Sequence, residues 1–177
     1  MRTDPDELFD VVDEADRVVR QERRAVVHRD NLLHRAVHVW LFNGRGELLL
    51  QMRSASKDQY PSTWTSSASG HLDAGESYAD AAPRELREEL GIAVPLRESL
   101  RLPASPETAY EFTTLYVGRF GGEPSPAADE VAGLRWWSPT KLQDAVRDTP
   151  EDFSPPLRSL LLATDFGRDA AGTIPAC

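Results

Sequence analysis

Three glutamates, Glu85, Glu88 and Glu89, fall within a single turn of helix in the stretch GHLDAGESYADAAPRELREELGI, residues 70–92. The pattern predicts a helix over 77–90. Ser77 is placed to cap its N-terminus, Asp80 three residues on makes an imperfect capping box, and Gly91 is a natural terminator. At about 100° per residue the three glutamates share an arc of about 100°, whereas Ala79, Ala82, Leu86 and Leu90 fall together on a different face. Such a helix must lay its apolar stripe on a core while holding carboxylates beside it. Pro83 removes one backbone hydrogen bond and crowds residue 79, so the first turn is expected to bend or to begin later.

Like charges at these spacings cost a few tenths of a kcal/mol each in water and more when partly buried. Arg84 and Glu88, four residues apart, offset part of the cost and leave at least two carboxylates uncompensated. A solvated acidic face is the commonest meaning of such a run. The other resolution is a hard divalent cation, which prefers carboxylate oxygen; Mg²⁺ is typically held by a few carboxylates plus substrate phosphates.

The remainder of the chain limits what that cation would serve. A length of 177 residues suits one domain. No stretch approaches the roughly 18 apolar residues of a membrane span, and the acidic start MRTDPDELFD lacks the apolar region of a signal peptide, so cytoplasmic residence is the default expectation. The single cysteine, Cys177, allows neither an intrachain disulfide nor a thiolate zinc knuckle, and it is not expected to act in catalysis. A formal charge of -9 argues against a nucleic-acid polymer as partner but leaves room for a small phosphorylated substrate held by local cations.

Along the chain, LFDVVDEADRVVRQE reads as two β runs around a polar turn, and RAVVHRDNL as a short helix. RAVHVWLFNGRGELLLQMR carries the strongest hairpin signal, with Val37, Val39 and Leu41 alternating ahead of NGRGE and LLLQM. The serine-rich SASKDQYPSTWTSSAS is expected to be a polar loop. Strands are expected near ESLRLP, in YEFTTLYVGRF and in LRWWSP, with helices in PTKLQDAV and PPLRSLLLATDF. Hairpins dominate the connections, which favours a mixed sheet with helices packed on it over a purely parallel doubly wound fold.

The larger pattern carries a resemblance. Gly70, Glu76, and then Arg84-Glu85-Leu86-Arg87-Glu88-Glu89-Leu90-Gly91-Ile92 match G-x5-E-x7-R-E-U-x-E-E-x-G-U, with U aliphatic, at every specified position. For the seven fixed residues, chance gives about one match in 10⁸ start points. The chain therefore resembles the Nudix hydrolases. That resemblance implies an α/β/α sandwich with a mixed sheet, and Mg²⁺- or Mn²⁺-dependent cleavage of a nucleoside diphosphate linked to another moiety. It implies that Glu85, Glu88 and Glu89 bind metal, with the carbonyl of Gly70 as a further ligand. It also implies that Arg84 orients the glutamates and pairs with Glu76, and that one glutamate or an acid from a later loop activates water. Glu130 and Glu111 are the two candidates for that acid.

Over roughly residues 8 to 160 the chain is similar to the Nudix branch that contains isopentenyl diphosphate isomerase. There, a cysteine two residues before the histidine of the Gly-His pair serves the protonation; the matching position here is Ser69, ahead of Gly70 and His71. A hydroxyl is far less acidic than a thiol. His28, His34 and His71 resemble that enzyme's metal histidines, and Glu111 its second catalytic carboxylate. Three readings follow: a nucleotide pyrophosphohydrolase first, the isomerase second, and a non-catalytic nucleotide-sensing module third. Arg53 and Lys57 are the candidate phosphate contacts, Tyr60 and Trp64 the candidate stacking platforms, and His71 a further substrate contact.

Overall fold

The computed structural model describes residues 6–164 and Phe166, so Cys177 lies outside the described residues. The chain opens with β1 (Leu8–Val12), β2 (Val18–Arg23) and α1 (Arg24–Arg29), followed by β3 (His34–Phe42) and β4 (Leu48–Arg53). Next come β5 (Trp64–Thr65), β6 (Ala68–His71), α2 (Tyr78–Leu90), β7 (Arg97–Leu102) and β8 (Glu111–Arg119). The last elements are β9 (Val131–Trp137), α3 (Pro139–Asp148) and α4 (Pro155–Ala163). β1 and β2 form their own antiparallel ribbon. The other strands make a mixed seven-stranded sheet in the order β5-β4-β3-β8-β7, with β6 added to β3 and β9 to β4.

β3 organises the molecule because its two faces are both buried. Val37, Val39 and Leu41 meet Leu86 and Leu90 of α2 on one side, while Trp40 meets Leu142 of α3 and Leu157 and Leu160 of α4 on the other. The result is the α/β/α sandwich expected from the resemblance. β3 runs parallel to β8 from His34↔Glu111 to Phe42↔Arg119, and this pairing makes the sheet mixed.

The β3–β4 hairpin is present, but it zips only at its turn end, at Leu41↔Leu49 and Phe42↔Leu48. Beyond that the strands part. β6 takes the vacated edge of β3 from Val39 back to Ala36, and β5 takes that of β4 at Gln51 and Met52. These two short strands lie inside or beside the serine-rich segment expected to be loop. Ser67 explains why a polar stretch can be buried there: its Oγ accepts from Leu41 N at 2.8 Å and donates to the Leu49 carbonyl at 2.6 Å, stitching the two strands where they diverge.

α2 runs unbroken from Tyr78 to Leu90 through Pro83, capped by Ser77 accepting from Asp80 N and closed by Gly91 at φ 66°. Ala79 is exposed, so the carbonyl that Pro83 leaves without its helical partner belongs to the solvent side of the helix. Ala81, not Ala79, fills the apolar stripe, together with Ala82, Leu86 and Leu90.

Candidate functional site

Where β3 and β4 separate, a cavity of about 330 Å³ opens, lined on one side by Glu85, Glu88, Glu89 and Arg84, and elsewhere by Arg24, His38, Arg53, Lys57, Tyr60, His71 and Glu111. The three glutamates differ sharply. Glu88 is the exposed one, whereas Glu89 is 3% exposed, its Oε2 accepting from Gln51 Nε2 at 2.5 Å and from Ser69 N at 3.0 Å. Glu85 lies against the backbone of Gly70, where an added Cβ would come within 2.1 Å of its carboxyl carbon.

Arg84 ties the arrangement together. It donates to both oxygens of Glu76 at 2.8 and 2.7 Å, to Glu85 at 2.8 Å, to Glu88 at 3.3 Å and to the His71 carbonyl at 3.0 Å. Its hydrogen bonds to Glu76 come first among the causes that hold it more firmly protonated than usual.

Burial, and then the proximity of Glu89, pushes the Glu85 carboxyl well above the usual range. Burial does the same to Glu89, against the opposing hydrogen bond from Ser69. A cation would offset the cost of ionising two neighbouring buried carboxyls, and the residues present fit the divalent ion that the sequence suggests. A carboxyl whose pKa rises on folding keeps a proton that the unfolded chain has lost. Its stabilising contribution is therefore complete below the ordinary value of 4.5 and declines as pH rises through the folded value. A bound cation needs the ionised form, so its benefit grows over that window. Mg²⁺ added at one fixed concentration, about 100 times its Kd at pH 8, should raise the melting temperature by ~5–10 °C near pH 8 and by less near pH 5.5. A shift that is equal at both pH values, or smaller at the higher one, contradicts the coupling.

A second group shares the wall of the cavity through His71 and Glu111. His28, His34 and His71 each offer a ring nitrogen within 4.8 Å of the others. Their tautomers follow from their partners. The Arg24 guanidinium can only donate, so His71 Nδ1, at 3.1 Å from it, is an acceptor, and His71 Nε2–H donates to Glu111 Oε1 at 3.0 Å. His34 Nδ1 donates to the Leu32 carbonyl at 2.8 Å, and His28 Nδ1 faces Asp58 Oδ2 at 3.3 Å. The Nε2 atoms of His28 and His34 are buried without a partner. Burial drives His71 down to about 3, so it stays neutral. Burial also works to raise Glu111, but the neighbouring His34 and His71 rings outweigh it, His71 Nε2–H donating to it, and hold the carboxyl below its usual range. His28 and His34 thus each offer a ring nitrogen within 4.8 Å of the other, and Glu111 Oε1 lies 3.7 Å from His34 Nε2, donors of the kinds a borderline divalent ion takes.

The expected substrate contacts divide. Arg53, Lys57, Tyr60 and His71 all line the cavity. Lys57 is ion-paired with Glu130, so two groups expected to act separately hold each other. Arg53 Nε donates to the Gln59 carbonyl at 3.0 Å, pinning the loop on which Tyr60 adopts a left-handed φ of 47°. Trp64 is a correction: it does not line the cavity. Its ring packs edge-on to Trp137 at 5.7 Å and belongs to the apolar layer beneath α3 and α4, because β5 turns it toward that core.

Sequence reasoning missed Arg24, Gln51, Asp58 and His38. Arg24 donates to both oxygens of Asp58, fastening the loop that carries Lys57 and Tyr60 to α1. Its signal was available, since Arg24 precedes His28 by four residues on one helix face. His38 was legible as a polar residue on the second face of a strand whose alternation drew notice only for Val37, Val39 and Leu41.

Comparison with known proteins agrees with this geometry. A family model described as NUDIX domain matches residues 32–158. The chain is 36% identical over 154 residues to an isopentenyl-diphosphate Delta-isomerase of Serratia proteamaculans, covering 84% of this chain and 86% of that protein. It is 36% identical over 171 residues to one of Nocardia farcinica, covering 92% and 98%. The crystal structure of DR0079 from Deinococcus radiodurans superposes with a TM-score of 0.79 at 28% identity, over 89% of this chain and 98% of that one.

Proposed function

Because the chain belongs to the NUDIX domain family, we propose that it is a Mg²⁺-dependent hydrolase of a phosphoanhydride bond in a small nucleotide. The simplest substrate is a nucleoside 5′-di- or triphosphate, with release of phosphate or pyrophosphate. One observation carries the reading: Glu85, Glu88 and Glu89 line one cavity with Arg84, which holds Glu85 and Glu88, and two of the three carboxyls are reluctant to ionise alone. Glu85, Glu88 and Glu89, with the Gly70 carbonyl, would hold the metal, which supplies neutralisation of the diphosphate and a water of lowered pKa.

The chain's own residues supply the rest. Arg84 fixes Glu85 and Glu88 in place. Arg53 and Lys57 offer cations to the phosphate oxygens. When Lys57 turns to a phosphate it releases Glu130, whose carboxylate then accepts the proton of the attacking water. Glu111 is the weaker candidate for that role because His71 already occupies one of its oxygens.

A second reading has specific support. Relatives named isopentenyl-diphosphate Delta-isomerase are 36% identical to this chain over the aligned residues, and His28, His34 and His71 cluster as a metal site would. Against it stands Ser69, beside Gly70 in β6, where the isomerase pattern has a thiol. Moving a proton onto carbon needs a stronger acid than a hydroxyl. A screen of nucleotides and nucleotide sugars for Mg²⁺-dependent phosphate release, run beside an assay for conversion of isopentenyl to dimethylallyl diphosphate, separates the two. Release from a nucleotide without isomerisation is expected; isomerisation without release replaces the first reading with the second.

A further inference from the structure

We propose that His38 determines specificity at the floor of the cavity, presenting a neutral Nε2–H donor that selects substrates with a carbonyl oxygen on the group carried by the diphosphate. The inference rests on the hydrolase reading and extends it to what the enzyme accepts beyond the phosphates.

The direction of the donor follows from a short buried relay. His38 is 4% exposed and Ser66 is wholly buried. Trp40 Nε1 lies 3.0 Å from Ser66 Oγ, and His38 Nδ1 lies 2.8 Å from the same oxygen. An indole N–H can only donate, so Ser66 Oγ accepts from Trp40. The serine's own proton then has one place to go, because His38 Nδ1 is its only other hydrogen-bond partner among the described residues. Were His38 protonated at Nδ1, that hydroxyl would be buried with no acceptor, a penalty that decides between tautomers of similar intrinsic energy. The relay therefore runs from Trp40 N–H to Ser66 O–H to His38 Nδ1, and the imidazole proton sits on Nε2. This nitrogen has no protein partner among the described residues, and the side chain lines the cavity.

The ring stays neutral across the working range: burial pushes His38 down to about 4, with Glu111 raising it and Arg53 lowering it by lesser amounts. His38 pairs across the sheet with Ser69, and the cavity lining also includes the uncharged Tyr60, Thr65, Ser154 and Pro156. The glutamates, Arg84, Lys57 and Arg53 supply the charges that phosphates need. The uncharged lining residues are left for the remainder of the substrate, and a neutral donor at His38 rewards an acceptor and penalises a second donor.

Inosine and adenosine diphosphates make the cleanest probe, since the 6-position is a carbonyl in one and an amine in the other. The wild-type protein should prefer the inosine compound by about 10- to 100-fold in kcat/KM, with the difference in both terms. His38→Gln, whose amide can turn either way, should reduce the ratio to within a few-fold of unity. Ser66→Ala should also reduce it, because it frees the tautomer while leaving His38 in place. Imidazole ¹⁵N shifts of histidine-labelled protein read the tautomer directly and do not depend on turnover. An Nδ1–H signal for His38, or equal wild-type rates on the two nucleotides, overturns the inference. Failure to hydrolyse any nucleotide overturns the hydrolase reading, and with it the assignment of a substrate to His38, whatever the tautomer.

Discussion

Replacing Glu89 with glutamine should lower kcat on the best nucleotide by about 10²–10³-fold while leaving the metal-free protein as stable as before, or slightly more so. Glutamine keeps the volume, and its amide oxygen can still accept from Ser69 N and Gln51 Nε2, so the fold loses nothing it depends on. It removes a charge that burial already penalises. The melting temperature and the turnover should therefore move independently, which separates a metal ligand from a structural carboxylate. Glu88→Gln should lose comparable activity with no stability change at all, since its side chain is close to half exposed. If steady-state assays show both variants turning over at wild-type rate, the hydrolytic reading of this site is wrong.

Gly70→Ala should be nearly as damaging without altering a single charge. The added methyl would sit 2.1 Å from the carboxyl carbon and one oxygen of Glu85, and 2.5 Å from the other. Gly70 lies on β6 opposite Val37, so the backbone has little freedom to retreat. Its φ is not in the left-handed region, which means the obstacle is the neighbour and not the conformation. Glu85 must swing away and lose Arg84. We expect about 100-fold lower kcat/KM, loss of most of the Mg²⁺-induced thermal shift, and a stability cost of about 1–3 kcal/mol. Gly44→Ala is the matched control, since nothing lies within 4 Å of its added methyl. A fully active Gly70→Ala enzyme would show that Glu85 can work from another position.

What the sequence made legible was whatever depends on local spacing. The Ser77 cap and the Gly91 terminator are relations within 70–92 and appear in the fold as read, as does the pairing of Arg84 with Glu76 that the family resemblance implied. The β3–β4 turn is equally local. The sequence could not show that the hairpin opens after two residue pairs, because that depends on Ser67, Gln51 and Glu89 meeting from distant parts of the chain. Nor could it rank the glutamates. Helical angle puts Glu85, Glu88 and Glu89 on one arc, yet only the approach of β6 buries Glu89 and leaves Glu88 wet. Trp64 was misjudged for the same reason: an aromatic beside a polar loop gives no hint that Trp137, 73 positions later, covers it. The histidines carried the converse problem, being scattered in sequence at 28, 34 and 71 and gathered only where α1, β3 and β6 meet.

The cavity in the fork between β3 and β4 draws its wall from Glu7 through Pro156, nearly the whole span of the described residues. No fragment of the protein can therefore own a partial version of it, and an unfolded chain has no affinity to lose. Any molecule that occupies it acts as a clamp on the entire fold. At 100 times its dissociation constant it would shift the folding balance by ~2.7 kcal/mol. Resistance to a protease that attacks only the opened chain would then rank candidate substrates before any of them has been seen to react.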